Sequence, residues 1–470
     1  MDSRTGKSIF LWAFDPDYQT DYDHLEHKLL LPRAQIPNFR LSDGCALLRK
    51  EGYLLDAMRV CCAGLDVHQA MVVACIIKGP LESKPKVEIR EFPTVLSGLL
   101  ALQDWLSEEG CTDVAMESTG VYWKPINNVL ESTCDITLGN ARHIKNLPGR
   151  KTDVNDARWI AELHRSGLIR KSFVAPLAIR ELRDLTRYRK KLKGYETSER
   201  NRIIKILEDA NIKISTYMSD VFGVSGRLML NALIHGEVIE SPHLAELAKG
   251  KLRTKIPELT QALNGRVTKH HRYIIKQSFD HLLFLEQQIA EIESDMEHYF
   301  APYQKEIGLL DTIPGVGVTV AQAVLAEIGV DMSIFPSEAH ISSWAGLSPG
   351  NNESAGKKKS TRTPPGNKAL KTALLEAAWA ASKTRTFLGS KFWSMVGRKG
   401  KKKAATAIAH KILVIAYHIL ETGEPYNELG SDFLEKRRSI STEELMIRRL
   451  TKLGYNIVGT PQDKTEEKQA

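Results

Sequence analysis

The sequence predicts an α/β domain followed by a mainly all-α remainder, and three observations carry that expectation. Short β-rich runs alternate with helical patterns between Arg59 and Ser166. Two long charged segments, Ile179 to Ile212 and Tyr273 to Tyr299, repeat apolar residues at helical to near-heptad spacing. A turn with two glycines, Ile313-Pro314-Gly315-Val316-Gly317, separates two further helical patterns, Glu306 to Asp311 and Val320 to Ile328. The 470 residues suit about three folded units. The expected boundaries are an N-terminal extension of unknown role at 1–57, an α/β domain at 58–177, a helical coiled-coil middle at 178–305, a mainly helical last domain at 306–425, and a C-terminal helix with a disordered tail at 426–470.

The first domain opens on Cys61-Cys62-Ala63-Gly64-Leu65-Asp66-Val67-His68-Gln69, which runs into the apolar stretch Met71 to Ile77 and reads as a hairpin with one carboxylate off its first strand. A third strand follows at Val87 to Phe92, then a helix at Val95 to Leu106 and a strand at Asp113 to Met116 that ends on Glu117. Next come a helix at Val121 to Leu130, a strand at Asp135 to Leu138, a basic loop at Arg142 to Lys151, and a helix from Asp153 to Ser166. Three strands, helix, strand, helix, strand, helix is the order of a ribonuclease-H-like nuclease domain. Residues 1–57 read either as an appended module or as a translated leader before a true start at Met58. Near the other end, Ser441 and Glu444 form a capping box for a helix that stops at Gly454.

The formal net charge is +8 and the pI about 9.0, which favours a polyanionic partner, nucleic acid first. The excess is local. Gly350 to Lys411 holds 15 Lys and Arg against two acids, Glu353 and Glu376. Two clusters stand out, Lys357-Lys358-Lys359 to Arg362, and Arg398 to Lys403 with its Lys401, Lys402 and Lys403. Contacts of that kind give affinity and salt dependence without sequence information; a solvated face is the alternative for the second cluster. Trp344, Trp379 and Trp393 read as core residues at helical spacing rather than as stacking platforms for bases. The six Cys form no C-x-x-C pair and none follows residue 134, which argues against a disulfide framework or Cys-based zinc and for a reducing cytoplasm. No apolar run approaches the roughly 18 residues of a bilayer span, and the N-terminus lacks signal-peptide order, so no membrane partner is expected.

Four carboxylates carry the chemistry. Asp66 ends strand one, Glu117 ends strand four, and Asp153 and Asp156 lie three apart in the first turn of the last helix, on one face. Singly, they read as a turn residue, a surface residue and two partners of a helix dipole. Together, in ribonuclease-H order, they suit Mg²⁺, which takes a few hard oxygen ligands while also binding phosphate, and a pair of such ions can clamp a phosphodiester. In the turn at 313–317, Gly315 and Gly317 leave backbone N–H groups free to face a phosphate at a helix N-terminus, the sequence form of a helix-hairpin-helix; a plain helical turn is the alternative.

The segments Gly-Leu-Asp-Val-His at 64–68, Met-Glu-Ser-Thr-Gly at 116–120 and Lys-Thr-Asp-Val-Asn-Asp-Ala at 151–157 resemble the DEDD transposases of insertion-sequence family 110, over about Met58 to Leu420. The resemblance implies an amino-terminal RuvC-like nuclease domain with Asp66, Glu117, Asp153 and Asp156 as Mg²⁺ ligands, and a carboxy-terminal transposase domain. It implies that the loop Pro349 to Lys359 carries a serine that attacks the DNA backbone and stays covalently linked to it, and Ser354 is the residue that matches. On the residues alone Ser354 reads as a turn residue, a phosphate-binding hydroxyl or a nucleophile. Lys357 to Lys359, Arg362 and a metal would stabilise the charge at phosphorus, while no His nearby is evidently placed as the base, His340 being a weak candidate. Gly366-Asn367-Lys368-Ala369-Leu370-Lys371 resembles the family's helix start, with Lys371 where Arg is usual; Lys lacks the bidentate fork of a phosphate clamp. The resemblance further implies donor and target DNA, a structured non-coding guide RNA (the bridge RNA) pairing with both, and a dimer or tetramer in which the carboxylate site of one subunit meets the serine of another. The setting implied is cytoplasmic and nucleoid-associated. Two rival readings stay open: a RuvC-like junction nuclease in which water attacks, and a non-catalytic nucleic-acid binder.

Overall fold

The structure, a computed structural model, describes residues 57–455 apart from 119, 146–155, 237–239, 351, 355–356, 361 and 437–441. The expectations for residues 1–56, for Asp153 and for Ser441 lie outside the described residues. The chain divides into two compact units, which among the described residues run over 57–174 and 175–455.

In the first unit β1 (Cys61–Val67), β2 (Met71–Lys78), β3 (Lys86–Pro93), β4 (Asp113–Glu117) and β5 (Asp135–Gly139) form one sheet in the order β3-β2-β1-β4-β5. β2 is antiparallel to β1, because the connection His68-Gln69-Ala70 is too short for anything but a hairpin, and it is antiparallel to β3 as well. β4 and β5 run parallel to β1, as the intervening helices α1 (Leu96–Glu108) and α2 (Trp123–Leu130) require of a crossover. A mixed sheet of this order is compatible with the ribonuclease-H-like arrangement. Two further helices complete the unit, α3 (Ala141–Lys145) and α4 (Asp156–Arg165).

The central strands are buried on both faces, so they read as nearly continuous apolar runs. On one face Leu65 and Met116 pack with Leu99 and Leu102 of α1 and Ile126 and Leu130 of α2. On the other, Cys62 and Ala115 meet Ala157, Ala161, Ile160 and Leu163 of α4. Gly64 explains how closely α4 approaches: a Cβ on it would lie 2.3 Å from the Ala157 carbonyl oxygen and 2.3 Å from the Ala161 nitrogen.

The second unit is helical. In chain order it contains α5 (Leu177–Asp209), α6 (Val224–His235), α7 (Lys269–Phe300), α8 (Gln304–Asp311), α9 (Val318–Ile328) and α10 (Glu338–Trp344), then a two-stranded ribbon, β6 (Asn352–Ser354) and β7 (Lys357–Ser360). Helices α11 (Lys368–Ala381), α12 (Phe387–Lys399), α13 (Lys401–Thr422) and α14 (Thr442–Lys452) follow. The near-heptad segments become α5 and α7, which pack along their lengths within one chain, burying Leu192, Ile203 and Leu207 on one and Phe279, Leu282, Leu285 and Ile289 on the other. Thr268 caps α7 in a capping box with His271, whose Nε2 lies 2.9 Å from Asp209 Oδ2 near the end of α5.

Helix α13 is long and apolar enough, by length and composition, to cross a bilayer, which corrects the expectation that no stretch approaches that length. Its Ala404, Ile408, Ile412, Leu413, Ala416 and Ile419 are buried against α11, α12 and their neighbours, so it is the central core helix of its unit.

Candidate active site

In the parallel pair β1 and β4, Gly64 sits beside Ala115 and Leu65 beside Met116, so the next step of the same register sets Asp66 beside Glu117. Side chains alternate along a strand. Leu65 and Met116 face α1 and α2, so Asp66 and Glu117 share the opposite face with Gly64 and Ala115, the face that α4 covers. Asp156 is the first residue of α4, next to the Ala157 carbonyl that Gly64 admits. Three of the four predicted carboxylates therefore stand at one end of one sheet face, each half-buried. Among the described residues no group of three or more His, Cys, Asp or Glu side chains closes to metal-holding distance, and the fourth, Asp153, is outside them. The donor set fits a hard cation in kind, since it is made of carboxylate oxygens with no thiolate.

His68 has a contact that the sequence reading left unassigned. Its Nε2 lies 3.0 Å from Asp66 Oδ2, and it is more exposed than its partner. The signal was present in the Gly-Leu-Asp-Val-His segment, two residues past the aspartate.

The far end of α4 is pinned by a second cluster. Arg59 Nε donates to Asp113 Oδ2 at 3.1 Å, His164 Nε2 lies 3.2 Å from Asp113 Oδ1, and Arg59 Nη1 donates to the His164 carbonyl at 2.6 Å. Arg165 Nη2 adds bonds to the Gly79 and Pro80 carbonyls. These fix the helix that presents Asp156 at its other end. Burial, then the Arg59 guanidinium, pulls the His164 imidazole below its usual value, outweighing the Asp113 carboxylate. An imidazole depressed in the folded state contributes stability that is whole above the unfolded value of about 6.5 and is lost as pH falls below it. The thermal midpoint of the first unit is therefore expected to fall between about pH 7 and about pH 5, and less steeply in His164→Gln. Equal slopes in a thermal melt series would remove His164 from that account.

In the second unit, the segment expected as a loop at Gly350 to Asn367 contains the β6–β7 ribbon. Ser354 is the last residue of β6 and pairs with Lys357; Glu353 pairs with Lys358. The predicted nucleophile and the lysine run 357–359 thus occupy the tip and return strand of one hairpin. The base of that hairpin is tightly built. Gly350 N–H donates to the Arg362 carbonyl at 3.3 Å, and a Cβ on Gly366 would lie 2.3 Å from the Gly346 nitrogen. Lys371 Nζ donates to the Gly346 carbonyl at 3.0 Å and to Thr363 Oγ1 at 2.9 Å, so its ammonium holds the hairpin base instead of pointing away as a phosphate clamp. Asn367 caps α11 through Ala369 and Leu370 and donates its Nδ2 to Glu327 Oε2 at 2.6 Å.

Glu327 is 2 % exposed and the sequence reading missed it, although a lone acid in the apolar helix α9 is a signal in itself. Arg187 of α5 donates to both its oxygens, at 2.7 and 2.8 Å, and Arg183 Nη2 donates to its carbonyl at 2.6 Å. One carboxylate thereby joins α5, α9 and the start of α11.

Gly315 has φ +88, and a Cβ there would lie 2.4 Å from the Ala377 carbonyl and 2.6 Å from the Ala381 nitrogen; its glycine serves close packing on α11. Gly317, at the start of α9, has open space where a Cβ would be. Lys401, Lys402 and Lys403 are exposed on the first turn of α13, and Arg362 is exposed beside the ribbon. His340 Nδ1 lies 2.8 Å from Ser337 Oγ on α10.

The first unit thus brings three carboxylates to one end of a mixed sheet's face, and the second carries Ser354 on a short hairpin. A transposase model of the DEDD IS110 type matches residues 63–212, and the model for the transposase IS116/IS110/IS902 family matches residues 308–393. The chain belongs to this insertion-sequence family 110 of transposases. It is 36 % identical over 124 residues to the pilin gene-inverting proteins of Moraxella bovis and Moraxella lacunata, which is 26 % of this chain and 38 % of each relative. The chain thus spans well under half the length of the curated relatives it matches.

Proposed function

We propose that this protein is a DNA transposase that cuts and rejoins the strands of its own mobile element, through a RuvC-like sheet domain that holds Mg²⁺ and a covalent bond made by Ser354. The reading is carried by the placement of Asp66, Glu117 and Asp156 at one end of one sheet face, in a chain whose second family match, residues 308–393, spans the hairpin that bears Ser354. Asp66, Glu117, Asp153 and Asp156 hold the metal, and His68 orients Asp66. When bound, Mg²⁺ offsets the charge that develops on the phosphoryl oxygens.

Ser354 Oγ forms a bond to phosphorus while the P–O bond to one deoxyribose breaks. Oγ gives up its proton, and the departing sugar oxygen gains one. Attack by a sugar hydroxyl of a second strand on the phosphoserine reverses the exchange. Bond energy is conserved, and no nucleotide cofactor enters. Lys357 to Lys359, Arg362 and Lys401 to Lys403 neutralise phosphates, with the Gly317 N–H as a further phosphate donor. Such backbone contacts leave sequence choice to a structured guide RNA that pairs with donor and target DNA. The protein works as a dimer or tetramer in the cytoplasm, at the nucleoid.

Chelation by EDTA and the substitution Asp66→Asn are each expected to lower cleavage of labelled element-end DNA by at least about 100-fold, with added Mg²⁺ restoring only the wild type. Cleavage by Asp66→Asn at the wild-type rate would remove the carboxylates from the mechanism.

A further inference from the structure

One cavity of the second unit carries chemistry that neither the carboxylates nor the serine hairpin uses. It lies between the end of α11 and the first turns of α12, holds about 530 Å³, and is lined by Lys383, Arg385, Ser390, Trp393, Ser394 and Ser431 among others. That volume falls in the range of small-ligand sites, roughly 300–1,000 Å³.

Trp393 does not behave as a core residue. It is 56 % exposed, yet fixed, because its Nε1 donates to the Ser382 carbonyl at 2.9 Å. A held, exposed indole beside a cavity is a stacking surface. Lys383 and Arg385 are exposed on the rim and form no ion pair among the described residues. The walls are preorganised. Glu428 Oε1 accepts from Phe387 N at 2.7 Å and Gly430 N at 2.8 Å, which ties the segment bearing Ser431 across the start of α12. Phe433 packs edge-on against Phe387 at 5.5 Å. Gly389 lets the first turn of α12 pack directly on the backbone beneath it, since a Cβ there would lie 2.2 Å from the Thr384 carbonyl oxygen.

The geometry points to a pocket for one unpaired nucleotide of a nucleic-acid strand: the base stacks on Trp393, its phosphate meets Lys383 and Arg385, and the serine hydroxyls bond to the base edge and sugar. A strand fits better than a free mononucleotide because the positive surface continues past the pocket. Lys401 Nζ lies 5.8 Å from the Trp393 ring centroid, and Lys402 and Lys403 follow it, exposed. The inference rests on nucleic-acid binding in the proposed function and is independent of Ser354 and of the carboxylates.

The test uses the full chain in EDTA with a 2-aminopurine-labelled single-stranded DNA, a duplex of equal length, and adenosine monophosphate as competitor. Wild-type protein is expected to quench 2-aminopurine on binding. Trp393→Ala should weaken single-strand binding about tenfold, leave duplex binding unchanged and lose the quench, while Trp393→Phe keeps most of both. Lys383→Ala with Arg385→Ala should lower the salt slope of single-strand binding by roughly one to two. Single-strand affinity equal to wild type in a Trp393→Ala protein with an unchanged circular dichroism spectrum overturns the pocket. Competition by adenosine monophosphate at the strand's own concentration overturns the assignment to a strand. If wild-type protein binds neither duplex nor strand, the wider nucleic-acid reading fails with it.

Discussion

Ser354→Ala protein is expected to leave no covalent protein–DNA adduct after denaturation, where wild-type protein carries labelled DNA into the protein band. The loss should be complete, because Oγ is the only atom of the side chain that can bond to phosphorus. The hairpin itself should survive, since the pairing of Ser354 with Lys357 runs through main-chain groups that alanine retains. The same measurement separates the rival chemistries. A junction nuclease that uses water cleaves in Mg²⁺ without an adduct and is indifferent to Ser354→Ala. A non-catalytic binder shows no cleavage at all and is indifferent to Asp66→Asn. A Ser354→Ala protein that still recombines DNA would overturn the proposed mechanism.

Glu327→Ala is expected to be among the most destabilising single changes in the second unit, by about 3–5 kcal/mol, because it leaves two guanidinium groups without their buried counter-charge. Arg183 already pays for its position: burial pulls it below its ordinary value, whereas Arg187 is raised by the hydrogen bonds it donates to Glu327. The carboxylate is shared unequally: Arg187 donates to both its oxygens, whereas Arg183 donates to the Ala326 and Glu327 backbone carbonyls. On a unit of this size the change corresponds to a fall in the melting temperature of roughly 6–20 °C. Asn367 would lose its acceptor too, loosening the helix start that supports the serine hairpin. Thermal and urea unfolding of Glu327→Ala and Glu327→Gln check this; an alanine variant within about 1 kcal/mol of wild type would show the cluster to be no more than a surface network.

Much of the first unit was legible because its signals are local. The apolar run at Met71 to Ile77, the short connection before it, and strand ends marked by single carboxylates are read from adjacent residues, and all five strands lie where expected. The site is half legible for the same reason: Asp66, Glu117 and Asp156 take their places from strand ends and a helix start, whereas Gly64, which lets α4 approach, shows its purpose only against Ala157 and Ala161. Gly315 teaches the same lesson in the second unit. Its turn looks like a phosphate loop, but the backbone that demands a glycine belongs to Ala377 and Ala381, some sixty residues away. Trp393 was misread because helical spacing gives a face without saying which face is covered. The β6–β7 ribbon was missed because strands this short, one of them mostly lysine, show no alternation to read.

The lysines at the head of α13 make the protein locally frustrated. Lys401, Lys402 and Lys403 place three like charges on the positive end of a helix dipole, where carboxylates would be favoured. A sequence chosen for stability alone would carry Asp or Glu at those positions, as most well-capped helices do. Engineering for thermostability would single out this turn first, and on the proposed function each gain there would remove a phosphate contact.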